Sequence, residues 1–139
     1  MNLLHWSDDM SVGNAALDED HRQLFRLLAE LHDDIANHAV QDGRDRLAQL
    51  AAYAKLHFRK EEALLRSHGY PRLTAHQSMH DALAQDLAEA LMDQAEGPDP
   101  DLITKLYNFT LNWLRHHILE EDMAYSEFLI GKTPKIEQP

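Results

Sequence analysis

Cysteine is absent from this 139-residue chain. That excludes disulfides, thiolate metal sites, iron–sulfur clusters and thiol nucleophiles together. Glycine and proline number only five each, and aromatics make up 7%. Basic residues are outnumbered, 13 Lys and Arg against 24 Asp and Glu, for a net charge of −11. A surface of that sign is repelled by phosphate backbones and anionic lipid, so neither nucleic acid nor a membrane is an expected partner. No apolar run approaches the roughly 18 residues of a membrane span. The opening Met-Asn-Leu-Leu-His-Trp-Ser-Asp-Asp has neither a basic region nor an apolar core, so it does not read as a signal peptide, and a cytoplasmic location is expected. The length suits one domain spanning 1–139.

What is present in excess is histidine, ten residues. The few glycines and prolines punctuate four stretches free of both, 14–42, 44–68, 72–96 and 101–130. Alanine and leucine abound in them and β-branched residues are scarce, which favours helix. The apolar periodicity agrees. Leu17, His21, Leu24, Leu28, Leu31 and Ile35 step by three or four, as do Leu47, Leu50, Ala54, His57, Glu61, Leu64 and His68, then Leu73, His76, His80, Leu83, Leu87 and Leu91, and Ile103, Leu106, Thr110, Trp113 and His117. Asp42 is the expected cap of the second helix; Asp99 before Pro100 is a cap for the fourth. Short connections make consecutive helices antiparallel. The expected fold is therefore all-α, an up-down-up-down four-helix bundle over 17–122. An N-terminal arm (1–16) carries Trp6 onto the bundle, and a C-terminal segment (123–139) adds a turn or two before a loose tail after Gly131.

The seams are interrupted by His21, His57, Glu61, His76, His80 and His117, where leucine would be expected. Burying that many polar groups unpaired costs on the order of 1–3 kcal/mol each. A shared metal compensates them economically. Residues four apart on a helix are offset by only about 40°, so His57 with Glu61, and His76 with His80, each project together. Antiparallel topology brings the start of helix one and the end of helix four to the same level, and with them His21 and His117. Asp122, five residues after His117, is offset by roughly 140° on a regular helix and joins only if the helix bulges or frays. His116–Glu120 and His117–Glu121 are also four apart, and spacing does not choose among these registers. A lone buried histidine is more often a hydrogen-bonded core residue than a ligand; it is the combination that favours metal. His5, His32, His38, His68 and His116 are assigned to surface or packing roles, Trp113 and Met79 to the core.

Read in order, Asp-Glu-Asp-His (His21), His-Phe-Arg-Lys-Glu-Glu (His57, Glu61), Tyr-Pro, His-Gln-Ser-Met-His (His76, His80) and Trp-Leu-Arg-His-His-Ile-Leu-Glu-Glu-Asp (His117, Asp122) resemble the hemerythrin family. The resemblance is nearest to bacterial single-domain hemerythrins and runs from about Trp6 to Tyr125. It implies a non-haem di-iron site. His76, His80 and His117 would bind one iron, His21 and His57 the other, with Glu61, Asp122 and a hydroxide or oxide bridging. It also selects His117 and Asp122 as the register. Five neutral imidazoles with only two carboxylates stabilise high-valent iron less than carboxylate-rich oxygen-activating sites do, which favours reversible dioxygen binding over bond cleavage. Leu24, Phe58, Leu114 and Ile118 are expected to line the dioxygen pocket and exclude water. The expectation is thus a monomeric oxygen carrier or store with no catalytic residue. The rivals are an oxygen or nitric oxide sensor, a di-iron oxidase or peroxidase, and iron storage. The protein partner is not legible.

Overall fold

The computed structural model describes Trp6, residues 10–93, Gly97 and residues 99–132. Four helices form the bundle: α1 (Ala15–Ala36), α2 (Val40–Ser67), α3 (Leu73–Asp93) and α4 (Pro100–His116). A π-helical segment, His117–Asp122, follows α4 directly and leads into α5 (Met123–Lys132). Among the described residues there is no strand, and no helix is long and apolar enough to cross a membrane. His5 and the tail beyond Lys132 lie outside the described residues.

The helix ends follow local chemistry. The Asn14 side chain accepts from the Leu17 N–H and starts α1. Asp99 accepts from the Asp101 N–H, with Pro100 at the first helical position of α4. After α2, Gly69 turns left-handed (φ 66°); its N–H reaches the Arg66 carbonyl and that of Tyr70 reaches Leu65. This Schellman pairing closes the helix.

The first turn differs from the expectation. Asp42 does not cap α2: the helix starts at Val40 after Ala39, and Asp42 and Gly43 lie inside it. The chain reverses instead at His38, a non-glycine residue at φ 57°. The N–H groups of His38 and Ala39 satisfy the carbonyls of Ile35 and Asp34, the same Schellman pairing with histidine in glycine's place. Gly43 is buried within the helix, where an added Cβ would stand 3.5 Å from Ile103 Cγ2 and 3.7 Å from Leu31 Cδ1.

Two apolar clusters divide the interior. The larger holds Leu24, Leu28, Leu31, Leu47, Leu50, Phe58, Leu83, Leu87, Ile103, Leu114 and Ile118, with Trp6 and Trp113 packed against it half-buried. Met79 is half-buried and outside both clusters. The smaller gathers Val12, Leu17, Leu65, Tyr70 and Tyr125. The arm is pinned here: the Val12 N–H and the Ser11 hydroxyl donate to Asp18, and Ser126 donates to the Val12 carbonyl. Several polar seam residues fall between the two clusters: His21 between Leu17 and Leu24, Glu61 between Phe58 and Leu65, and Asp122 between Ile118 and Tyr125.

Candidate metal centre

Seven side chains meet in that layer, all buried: His21 from α1, His57 and Glu61 from α2, His76 and His80 from α3, His117 and Asp122 from the π-helical segment. Wider turns in a π-helix bring residues five apart onto one face. His117 Nε2 and Asp122 Oδ1 accordingly lie 3.1 Å apart. The competing registers do not form the site. His116 is 64% exposed and pairs with Glu120 at 2.7 Å, while Glu121 faces Arg72.

The donors sort into two sets joined by the carboxylates. Ligand atoms of Glu61, His76, His80, His117 and Asp122 lie within 4.8 Å of one another, as do those of His21, His57 and Glu61. Glu61 Oε1 is 2.9 Å from His76 Nε2 and 3.1 Å from His80 Nε2, whereas Oε2 is 3.3 Å from His57 Nε2 and 3.6 Å from His21 Nε2. Asp122 divides in the same sense. Its Oδ1 faces His76 and His117, each at 3.1 Å, and its Oδ2 faces His21 at 3.3 Å. Each carboxylate thus offers one oxygen to each set.

Hydrogen bonding does not account for this arrangement. Both nitrogens of His21 and Oδ1 of Asp122 are buried without a hydrogen-bond partner, although other donors stand close by. The Nε2 atoms of His80 and His117 face one another at 3.0 Å, where two lone pairs would repel unless a proton or cation lies between them. Groups that converge at short range with poor hydrogen-bond directions are aimed at a common centre. Imidazole and carboxylate donors without thiolate suit iron or zinc better than calcium. This donor set fits iron.

Without metal, the carboxylates charge the cluster. Burial alone would lower the pKa of His21, but Asp122 and Glu61 outweigh it and raise it to about 9. His76 is raised to about 9 by the same balance. Burial would raise the pKa of Glu61, yet His21, His57, His76 and His80 hold it well below the carboxylate range. Asp122 is lowered too: burial and the neighbouring charge of Glu61 oppose ionisation, and His117 and His21 prevail. Protons on the His21 and His76 imidazoles balance the two carboxylates.

The outer contacts escaped the sequence reading. Asp20 Oδ2 lies 2.9 Å from His57 Nδ1 and also takes a 2.8 Å contact from the Lys60 ammonium, while Tyr53 donates to Oδ1. Glu62 Oε2 lies 2.8 Å from His80 Nδ1. Such carboxylates fix the ring orientation and raise the basicity of a ligating histidine. The buried Tyr125 hydroxyl donates to Glu61 Oε2 at 2.8 Å; its own pKa is pushed well above 10 by burial and by the charges of Glu61 and Asp122, so it stays a donor. Of these, Asp20 and Glu62 sit beside histidine or glutamate in the quoted motifs, yet nothing in the spacing pairs them with rings on other helices.

Apolar groups close the layer. Leu24, Phe58, Leu114 and Ile118 are all buried in the larger cluster. Phe58 lies flat on His80, with centroids 3.9 Å apart and planes 5° apart, and Trp113 stacks on His117 at 4.5 Å. Phe58 therefore covers the His80 side of the cluster more closely than the His57 ring, 6.0 Å away.

Comparison with known proteins agrees with this geometry. The family model described as the hemerythrin HHE cation binding domain matches residues 12–129. A bacteriohemerythrin of Stenotrophomonas maltophilia is 30% identical over 129 residues, covering 91% of this chain and 82% of that protein. One from Clostridium acetobutylicum is 28% identical over 124 residues, covering 86% and 96%. A hemerythrin-like protein of Naegleria gruberi is 29% identical over 126 residues, covering 90% and 92%.

Proposed function

The chain belongs to the hemerythrin family, and on that premise we propose that it binds dioxygen reversibly, for carriage or storage, at a non-haem di-iron centre. The observation that carries this reading is the set of seven buried donors in two groups, each carboxylate directing one oxygen to each group. Iron held there supplies the electrons that dioxygen borrows and returns.

The protein's own residues do the rest. His76, His80 and His117 with Glu61 Oε1 and Asp122 Oδ1 form a five-donor set; His21 and His57 with the other two oxygens form a four-donor set. The His21/His57 set offers fewer donors than the other, so a metal held there would be the one left free to receive dioxygen. Leu24, Leu114 and Ile118 present hydrocarbon rather than hydrogen-bonding groups and keep water and stray protons out, and Phe58 seals the His80 ring. Asp20 and Glu62 hold the His57 and His80 rings in place. We read the protein as a binder rather than an enzyme.

Alternate equilibration of the reduced, iron-loaded protein with air and argon tests this. A visible absorption band should appear under air and vanish under argon over repeated cycles. Immediate, irreversible conversion to the ferric form would contradict carriage and favour sensing or turnover.

A further inference from the structure

Within this reading of Glu61 as a bridging ligand, we propose that Tyr125 is a positioning residue that makes the two halves of the centre unequal, its hydroxyl drawing charge from the one carboxylate oxygen that faces His21 and His57. The geometry is one-sided. The hydroxyl donates to Glu61 Oε2 at 2.8 Å, and Oε2 is the oxygen nearest His57 and His21. Oε1 faces His76 and His80. Among the described residues, no other hydroxyl bonds to Glu61 or Asp122.

The direction of that O–H is fixed by packing. Tyr125 is fully buried, its ring edge-on to His76 at 5.4 Å and to Tyr70 at 6.3 Å. The next residue, Ser126, ties the helix to the arm through the Val12 carbonyl at 2.8 Å. The phenol therefore cannot swing to Oε1 without breaking the smaller apolar cluster.

A hydrogen bond to an ionised carboxylate lowers the charge that the oxygen can give to a cation on its other side. Hydrogen bonds to ligand atoms are among the levers by which a protein sets an iron potential. Weakened donation from Oε2 favours the ferrous state in the half that receives dioxygen. The other half, bound through Oε1, keeps the stronger donor. Tyr125 thus biases the His21/His57 half against spontaneous oxidation without touching dioxygen.

Two variants test this on the iron-loaded full chain: Tyr125→Phe, and the protein with 3-fluorotyrosine incorporated at 125. The first removes the hydroxyl and keeps the ring; the second keeps both and makes the hydroxyl a stronger donor. Iron content and the midpoint potential of the iron couple are measured for each. Both should retain two irons per chain. The potential should fall by roughly 60 mV in Tyr125→Phe, a tenfold change in a one-electron equilibrium, and should rise in the fluorinated protein. A merely structural tyrosine would not move the potential in opposite directions. Two irons with an unchanged potential in both variants would overturn the proposal and leave the di-iron reading standing. Should Tyr125→Phe fold poorly, the fluorinated protein alone decides, since an unshifted or lowered potential there overturns it. Fewer than two irons in the iron-saturated wild-type protein would instead end the reading on which it rests.

Discussion

Leu114 offers the sharpest mutational test of the apolar sleeve. It is buried in α4, one turn before His117 and one turn after Thr110, and belongs to the larger cluster. Leu114→Asn keeps much of the volume and places an amide where hydrocarbon stood. Removing the buried leucine contacts costs about 2–5 kcal/mol, and an unpaired amide adds roughly 1–3 kcal/mol. A domain of this size commonly has about 5–15 kcal/mol of stability, so the variant should stay folded at 25 °C with a clearly lowered Tm. Functionally, the amide gives an entering water a partner worth on the order of 1 kcal/mol net. About 1.4 kcal/mol is tenfold in occupancy, so the oxygenated protein should decay roughly fivefold faster. The control is Leu114→Met, a volume-conserving swap costing less than about 1.5 kcal/mol, which should keep a lifetime near that of the wild type. The assay follows the visible band under air at fixed temperature, with iron content and circular dichroism checked on each sample. A folded, two-iron Leu114→Asn protein with the wild-type lifetime would refute the water-exclusion role.

Other consequences are more local. Gly43→Ala should raise stability by roughly 0.5–1 kcal/mol, because the new Cβ meets its neighbours at ordinary contact distance and the helix loses a flexible residue; a drop in the denaturant midpoint would refute it. His38→Gly should also stabilise, by about 1 kcal/mol, by relieving the left-handed conformation. The metal-free protein should lose stability as pH rises from about 6.5 towards 9. His21 and His76 titrate near 9 when folded, so their contribution is complete below the ordinary histidine value and disappears as pH passes through 9; a Tm that climbs over that range would contradict the charged cluster. Asp20→Ala frees the His57 ring and should weaken metal binding by roughly 10- to 100-fold, read by competition with a chelator.

Much of this is legible in the sequence, and the reasons are physical. Helical periodicity exposes a seam, and a histidine where leucine belongs is conspicuous, so His21, His57, Glu61, His76, His80 and His117 stood out. The Asp99–Pro100 start likewise followed from local chemistry. Asp122 was harder, because regular helix geometry turns it away from His117. A π-turn has no composition of its own that announces it, and the register came from the family resemblance. The first inter-helix turn was misplaced because Gly43 looked like a breaker, whereas the left-handed position is filled by His38 and the glycine sits inside α2. The seam of α2 also drifts: Leu65 is buried and Leu64 only half so, as 3.6 residues per turn displaces a strict three-four pattern. Asp20, Glu62 and Tyr125 were invisible because their partners lie on other helices, 37, 18 and 64 residues away.

The claim under all of this is that the seven converging donors hold two iron ions inside the bundle. Anomalous diffraction at the iron edge, on crystals of protein saturated with iron, addresses it directly. The expected result is two peaks per chain, one among His76, His80 and His117 and the other beside His21 and His57, with Glu61 and Asp122 reaching both. A single peak, or a second iron lying outside this layer, would contradict the account.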